Sequence, residues 1–424
     1  MTARSSGSQT DDAGHPDEAH PRPEPADGAA SFAPGPLVGV TVVDLTQVYM
    51  GPCCTQILGD FGATVIKVER PGAGDLSRTS IPDPDGLDNP VFLSINRNKK
   101  SVTVDVRSED GKEVLRRLLV CADVVVSNFR QGVMDRLGFG YEAVRAFNPR
   151  IIWVSGTGFG ERGPLRHKGG QDVLAQAYTG LMWRRQSDDL PLSVYPTTFC
   201  DYTTGMHLVQ GVLLALLARE RDGEGQRVDV SMFDSMLHLQ MQEACMQMNR
   251  GWEVNWARMP LCGVFPTRDG AVCIVGAFKE NPLRDICQAL GIPDLSLDER
   301  FCTHEAQVAH RAELQALFAT RLESEPSAYW VERLEAQDVL CAPVLTLAEA
   351  LAHEHTRANG MVTVMRHPVA GTVRCLSAPI HMARTPARVF APPPMLGEHT
   401  EEVLESLGYS PGDLERLRAA GALG

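Results

Sequence analysis

Short apolar runs rich in β-branched residues alternate along the chain with stretches of helical spacing. Five runs in the first half predict strands, at residues 38–45, 63–69, 101–105, 122–126 and 150–155. The intervening pattern predicts helices at 51–61, 109–120 and 140–147. Alternating strands and helices are typical of a parallel sheet with helices on both faces, so the pattern predicts an α/β domain over residues 37–225.

The second half of the chain has a mixed pattern. A turn and an amphipathic stretch predict a linker helix within residues 226–254, and residues 255–370 carry the short strands and helices of a smaller α+β domain. Residues 371–424, with a Pro-rich turn and helical stretches, are predicted to return to the first domain. Residues 1–36 are rich in Ser, Asp, Ala, Gly and Pro, which predicts a disordered tail.

Composition narrows the class of protein. The length of 424 residues agrees with two domains. Acidic residues (53) outnumber basic ones (40), and the formal charge of -13 argues against nucleic acid or a membrane surface as a partner. Eleven cysteines without metal-ligand spacing or a secretory signal predict reduced thiols in the cytoplasm and no metal site. No apolar run approaches the roughly 20 residues that span a bilayer, so the protein is expected to be soluble.

Basic residues recur close to the predicted strands. They are Lys67, Arg70, Arg97, Lys99, Lys100, Arg130, Arg136, Arg166 and Lys168. The carboxyl ends of strands in a doubly wound sheet share one crevice, so these cations could converge on an anionic ligand. Each of them taken singly also fits a solvated surface charge.

The sequence gives little support for a dinucleotide-binding motif or a serine-hydrolase motif. The glycines of residues 156–160 are too close together for a dinucleotide fingerprint, and they predict instead a loop that needs unusual φ angles. The chain has no Gly-x-Ser-x-Gly motif.

Two aspartates precede helical stretches. Asp172 follows Gly169-Gly170-Gln171, and Asp201 stands just ahead of the apolar run 208–218. Composition alone favours helix capping for both, because Asp is a preferred N-cap residue. The roles are compatible, however, since a carboxylate held ionised at a helix N-terminus can act as a nucleophile toward an acyl carbonyl.

Ordered blocks along the chain resemble the family III coenzyme A transferases and their relatives, the α-methylacyl-CoA racemases. The resemblance covers nearly all of the chain after the tail, and its blocks are residues 37–46, 51–52, 58–71, 74–75, 96–101, 122–124, 128–132, 135–138, 148–150, 223–230, 341–344 and 396–400.

The resemblance implies a large Rossmann-like domain, a small domain and a homodimer of two interlocked rings. It also implies coenzyme A, in the form of an acyl-CoA substrate, and a carboxylic acid acceptor. Asp201 stands at the position of the family's catalytic Asp, shortly before Gly205-Met206-His207-Leu208. The expected course is attack by Asp201 on the donor thioester, which gives a mixed anhydride and then an aspartyl-CoA thioester.

Other site residues also follow from the resemblance. Matching positions for CoA contacts are Arg70, Val104, Asn128, Phe129, Arg136 and Lys168. The segment Val48-Tyr49-Met50 matches one near the acyl group. Tyr49 replaces a glutamine there, and a glycine-run loop of the small domain is missing, with Cys262-Gly263 as the nearest remnant. Both departures argue against formyl-CoA and oxalate as substrates.

A further departure separates the two branches of the family. Gln171 stands where the racemases have a His that works with a later Asp, so one of two acid/base groups is missing. This favours a transferase. A racemase or epimerase in which Asp172 replaces the His stays an alternative, and so does a CoA-binding protein without catalytic activity.

Overall fold

The computed structural model describes residues 34–81 and 89–424. Its centre is a six-stranded parallel sheet of order β3-β2-β1-β4-β5-β6. The strands are β1 (Thr41–Asp44), β2 (Thr64–Glu69), β3 (Lys99–Thr103), β4 (Val124–Ser127), β5 (Ile152–Thr157) and β6 (Arg227–Ser231). This is the strand order of doubly wound nucleotide-binding folds, and the predicted α/β fold is confirmed.

Helices cover both faces of this sheet. They are α1 (Met50–Asp60), α2 (Pro90–Ile95), α3 (Glu109–Cys121), α4 (Val133–Leu137), α5 (Tyr141–Arg145), α6 (Asp172–Tyr178), α7 (Phe199–Asp222), α8 (Met232–Leu239) and α9 (Met241–Arg250). Successive strand residues point to opposite faces. Val42 accordingly packs in one apolar cluster with α1 and α7, and Val43 packs in the other with α3.

A second, smaller core lies further along the chain. Three antiparallel strands, β7 (Cys262–Pro266), β8 (Ala271–Val275) and β9 (Leu340–Pro343), pack with α10 (Pro282–Leu290), α11 (His304–Ala309), α12 (Arg311–Leu322) and α13 (Ser327–Glu335). Phe318 and Trp330 are fully buried in this core. Antiparallel strands combined with helices are the α+β arrangement that the pattern predicts for this region.

The rest of the chain returns to the first sheet. It contains α14 (Leu347–Ala352), α15 (Glu354–Ala358), the hairpin of β10 (Val362–His367) and β11 (Gly371–Leu376), α16 (Thr400–Ser406) and α17 (Pro411–Ala419). Leu404 and Leu417 lie in the same apolar cluster as Val43. The sheet itself extends to β6, past the predicted domain end at residue 225. The predicted tail lies outside the described residues up to position 33.

Three of the basic residues expected to bind an anion are buried in ion pairs instead. Lys67 pairs with Asp75 at 2.7 Å, Arg97 with Asp60 at 2.6 Å and Lys99 with Asp44 at 3.1 Å. That prediction was wrong for these residues, because each cationic group is buried and already paired with a carboxylate of the protein itself. Within the two described ranges, no helix has both the length and the apolar character needed to cross a membrane.

Candidate active site

A cavity of about 920 Å³ opens at the carboxyl ends of β1, β4 and β5, where ligands bind in open parallel sheets. Its walls come from the loops after these strands, from the start of α7, and from the segments on either side of residues 82–88. The lining residues are Gln47, Val48, Tyr49, Met50, Leu76, Ser80, Ile81, Pro90, Val91, Ser94, Asn128, Phe129, Arg130, Gly170, Gln171, Thr198, Asp201 and Met232.

The loop after β1 is held in an unusual backbone conformation. Val48 has φ = 70°, in the left-handed region that a β-branched residue rarely adopts. The Asn128 side chain accepts from the Gln47 N–H at 2.9 Å and donates to the Gln47 carbonyl at 2.8 Å. The Val48 N–H donates to Asp75 at 2.9 Å. These bonds keep the strained residue on the cavity wall.

The buried pair of Lys67 and Asp75 supports this loop. Lys67 Nζ donates to the Thr46 carbonyl at 2.9 Å and pairs with the carboxylate that holds Val48. A lysine that the sequence suggests as a ligand for an anion therefore acts one layer below the cavity, where it fixes the wall.

Asp201 is the third residue of α7, which begins at Phe199. The expectation that Asp201 is the N-cap of the helix containing the apolar run 208–218 was therefore wrong. Thr198 is the residue at the N-cap, and its side chain makes no capping hydrogen bond. Gly205 explains the close approach of α7 to α1, because a Cβ atom there would lie 2.8 Å from the Met50 carbonyl oxygen. This contact brings Asp201 and Tyr49 to one cavity.

The surroundings of Asp201 favour its neutral form. Burial, followed by repulsion from the neighbouring Asp172, raises the pKa of Asp201 to about 7. The helix N-terminus, which favours a negative charge, is outweighed by these two effects. The expectation of a carboxylate held ionised by the helix N-terminus therefore needs correction: burial and Asp172 make Asp201 more basic than an ordinary aspartate.

Asp172 lies behind Asp201 and is only 2% exposed. It is the first residue of α6, and Gln171 is the N-cap, since its side chain accepts from the Val173 N–H. Asp172 Oδ2 accepts from the Asp201 N–H at 3.0 Å. Asp172 therefore does cap a helix, but the helix is α7 and not its own.

Tyr49 occupies the N-cap position of α1, and its ring lines the cavity. Burial, together with the nearby Cys53, raises the pKa of the Tyr49 hydroxyl, while a hydrogen bond with the Thr198 side chain lowers it. The phenol is therefore neutral at pH 7 and can donate a hydrogen bond.

The glycine loop after β5 is shaped mainly by crowding. A Cβ atom at Gly158 would lie 2.3 Å from Gly170 Cα, and one at Gly156 would lie 2.9 Å from Met50 Cε. Among these three glycines, only Gly160 has a positive φ, of 76°. The predicted need for unusual φ angles thus holds for one of them, while the other two allow segments of the cavity wall to meet.

The structure brings some of the sequence-predicted contacts together and leaves others apart. Val48, Tyr49, Asn128, Phe129 and Asp201 all line the cavity. Arg70, Arg136 and Lys168 are exposed outside its lining. Val104 is 1% exposed and lies outside the lining, and its main-chain N–H and carbonyl are bonded to Glu69 and Val106.

Sequence reasoning missed several wall residues. Met232 could not be predicted, because it enters the cavity from an element distant in sequence from Asp201. Thr198 lies only three residues before Asp201, and that proximity was a signal the sequence offered. Arg130 was named only as one of many basic residues, although it directly follows Asn128 and Phe129.

The parallel sheet, the cavity at its carboxyl edge and the buried carboxylate define an α/β enzyme with a nucleotide-binding type of fold. The chain belongs to CoA-transferase family III, and the sequence model of that family matches residues 37–400. It is 34% identical over 410 residues to an acyl-CoA transferase of Fusarium pseudograminearum, a match that covers 93% of this chain and 90% of the relative.

Two further relatives have names that state substrates. A succinyl-CoA:glutarate CoA-transferase of Mus musculus is 32% identical over 394 residues, covering 92% of this chain and 90% of its own. A formyl-CoA:oxalate CoA-transferase of Escherichia coli O157:H7 is 34% identical over 414 residues, covering 90% and 98%. The predicted family and enzyme class are confirmed by these matches.

Solved structures agree on the fold. A CAIB/BAIF family protein from Brucella suis has a TM-score of 0.79 and 33% identity, over 88% of this chain and all (100%) of that one. Rv3272 from Mycobacterium tuberculosis has a TM-score of 0.77 and 33% identity, over 87% of this chain and 99% of that one.

Proposed function

We propose that the protein transfers CoA from an acyl-CoA donor to a carboxylic acid acceptor, with the Asp201 carboxylate as nucleophile. The observation that carries this proposal is a basic carboxylate on the wall of the cavity at the carboxyl edge of the sheet. Nucleophilicity rises with basicity, so a carboxylate with a pKa near 7 attacks a thioester better than an ordinary one while still being partly ionised.

The proposed reaction conserves charge at each step. An Asp201 oxygen attacks the thioester carbon, the C–S bond breaks, and a mixed anhydride and CoA thiolate form. The thiolate attacks the aspartyl carbonyl, which releases the donor acid and leaves an aspartyl-CoA thioester. The acceptor carboxylate displaces the thiolate to give a second anhydride, and thiolate attack on the acceptor carbonyl regenerates Asp201.

Donors for the developing oxyanion are available at the start of α1. Tyr49 and Met50 line the cavity, and the Tyr49 side chain makes no capping hydrogen bond to this helix. The first N–H groups of a helix have no acceptor within the helix, so they can donate to an oxyanion. The neutral Tyr49 phenol is a further donor at the same wall.

The CoA path is proposed from the same positions. Val48, Asn128 and Phe129 would contact the pantetheine arm at the cavity. A contact of CoA with Val104, which the resemblance implies, would require this buried core residue to become accessible. The exposed Arg70, Arg136 and Lys168 would pair with CoA phosphates, which favour cationic side chains.

The racemase alternative needs a second acid/base group at the substrate. Asp172 was its candidate, but both Asp172 oxygens accept hydrogen bonds, from the Asp201 N–H and from Gln176 Nε2, and the residue is buried. A group in that setting does not reach a substrate Cα atom, which favours the transferase.

We further propose that the protein works as a homodimer. On α7, the apolar side chains of Leu213, Leu214 and Leu217 are exposed, Leu214 to 67%, and Met248 on α9 is 79% exposed. Large exposed apolar patches commonly mark protein interfaces. Light scattering should give twice the 46.2 kDa of one chain, and a mass of 46.2 kDa would contradict the proposal.

The nucleophile is tested by trapping. The chain is incubated with succinyl-CoA or acetyl-CoA together with a panel of acids, hydroxylamine is added, and the peptide that contains Asp201 is analysed by mass spectrometry. We expect a hydroxamate at Asp201 with every donor that supports turnover. An active donor that leaves Asp201 unmodified would sink the proposal. Deuterium uptake at Cα of a 2-methylacyl-CoA, without CoA transfer, would instead support the racemase.

A further inference from the structure

Asp172 is a buried carboxylate that the proposed chemistry does not consume. Its Oδ2 accepts from the Asp201 N–H at 3.0 Å, and its Oδ1 accepts from Gln176 Nε2 at 2.7 Å. Gln176 is fully buried and grips the Tyr195 main chain, accepting from its N–H at 3.0 Å and donating to its carbonyl at 3.3 Å. The position of Asp172 is therefore fixed from two sides.

This carboxylate has no cationic partner. In residues 34–81 and 89–424, no basic side chain lies within ion-pair distance of Asp172. Buried charges are usually paired, because removing a charge from water is costly. What favours a negative charge at Asp172 is its place at the N-termini of two helices, α6 and α7. Its negative field therefore reaches Asp201 without being cancelled.

The other titratable groups around Asp201 are neutral near pH 7. On α1 and its N-cap these are Cys53 and Tyr49, and burial raises the pKa of Cys53 to about 12. On α7 they are Cys200 and Tyr202, and burial followed by Asp172 raises the pKa of Cys200 to about 12. Asp172, on α6, is thus the charged group that acts on Asp201.

We propose that Asp172 is a positioning residue that holds the first turn of α7 and electrostatically disfavours the free Asp201 carboxylate relative to its acylated forms. This inference rests on the proposed role of Asp201 as nucleophile. When Asp201 attacks the thioester, the bond from its oxygen to the acyl carbon forms and the C–S bond breaks. The negative charge leaves Asp201 and moves to the CoA sulfur, so the repulsion from Asp172 is relieved as the anhydride forms.

The same field acts on the later steps. Asp201 is neutral in the anhydride and in the aspartyl-CoA thioester, and hydrolysis of either would restore a carboxylate beside Asp172. The repulsion therefore favours the covalent intermediates over the free enzyme. It should speed their formation and slow their loss to water.

The test compares Asp172→Asn with the wild-type chain. Asn keeps an oxygen that can accept from the Asp201 N–H but removes the charge. Hydroxamate formation at Asp201 is followed from pH 5 to 9, with a donor that labels the wild type. We expect the midpoint of the pH profile to fall by about one unit in the variant. The labelling rate at pH 9, where Asp201 is ionised in both proteins, should fall about threefold or more, because the less basic carboxylate is the weaker nucleophile.

Gln176→Ala is the matched control. It removes the other hydrogen bond of Asp172 and keeps the charge, so a purely structural role of the network would slow both variants without moving either midpoint. We expect Gln176→Ala to lower the rate while its midpoint stays within a few tenths of the wild-type value. An unchanged midpoint in Asp172→Asn would overturn the inference.

Two outcomes are kept separate. If the wild-type chain turns over a donor without a label at Asp201, the proposed nucleophile fails. If the wild type is labelled but Asp172→Asn has the same pH profile, only the role of Asp172 fails. Should Asp172→Asn not fold, the wild-type profile decides, because labelling that is already maximal at pH 5 would show that no repulsion acts on Asp201.

Discussion

The large domain buries carboxylates in two different settings. Asp44 and Asp75, beneath the loop after β1, each contact a buried lysine, Lys99 at 3.1 Å and Lys67 at 2.7 Å. Beside the cavity, Asp172 accepts from the Asp201 N–H, and no basic side chain of residues 34–81 and 89–424 forms an ion pair with either carboxylate. Burial alone would raise the pKa of Asp44, Asp75 and Asp201.

The charge of the neighbouring side chain decides whether the pKa of a buried carboxyl group rises or falls. At Asp44, burial is outweighed by Lys99 and Lys67, which hold the pKa below its usual range. At Asp201, burial and Asp172 act in the same direction and raise the pKa to about 7. The carboxylates paired with lysines stabilise the loop after β1. Asp201, whose charged neighbour is another carboxylate, is instead more basic than usual and suited to the proposed reaction. Four predictions test this contrast.

Replacing the nucleophile should have the largest effect. Asp201→Asn is expected to lower transferase turnover by about 10⁴-fold or more, because the amide cannot form the anhydride. Turnover with saturating acyl-CoA and acceptor measures it. Asp222→Asn, at the exposed end of the same helix, is the control and should keep wild-type turnover. Substantial activity in Asp201→Asn would place the nucleophile elsewhere.

Breaking a scaffold pair should cost stability. Lys99→Met leaves Asp44 buried beside one lysine fewer and is expected to lower the free energy of unfolding by about 3–5 kcal/mol. Urea unfolding measures this change. The neighbouring Lys100→Met breaks a partly exposed pair with Glu402, and its cost should stay below about 1 kcal/mol. Equal costs would mean that burial of the pair does not matter.

The two settings should respond to pH with opposite signs. The raised pKa of Asp201 means that its contribution to stability is present below about pH 4 and is lost as pH rises through about 7. Asp201→Asn should therefore raise the free energy of unfolding at pH 8 by about 1–3 kcal/mol and change it little at pH 4. Asp44 contributes stability above its ordinary value near 4 and loses it in acid. A stabilisation by Asp201→Asn that is equal at both pH values would contradict the raised pKa.

The smallest effect is expected from the contact between α7 and α1. Gly205→Ala places a Cβ atom 2.8 Å from the Met50 carbonyl, so α7 must shift, and we expect turnover to fall about tenfold. Gly211→Ala, on the same helix, meets the Val228 side chain and should lower the melting temperature more than turnover. Wild-type turnover in Gly205→Ala would show that this contact does not position Asp201.

The fold was largely predictable, because strands and helices of the first domain repeat with a clear period. Only β6 lies beyond the predicted domain end, in a stretch whose alternating exposure marks it as an edge strand. The hydrophobic pattern is local, so it predicts individual strands and helices and not the contacts between distant residues.

The site was less predictable from the residues themselves. Spacing suggested that Asp201 was a helix cap, and its proposed catalytic role entered only through the resemblance. The fates of Lys67 and Lys99 depend on carboxylates 8 and 55 residues away, and the bond between Asp172 and Asp201 joins residues 29 apart. Such pairings are set by how the strands are ordered in the sheet, which the local pattern does not contain.

The contact between Gly205 and Met50 also has an evolutionary consequence. Asp201, the proposed nucleophile, belongs to a long helix that packs closely against α1, whereas the cavity walls come largely from loops after β1, β4 and β5. Exchanges in those loops can alter which acids fit without displacing the nucleophile. A gene duplicated from such an ancestor can explore new substrates while inheriting an intact reaction centre.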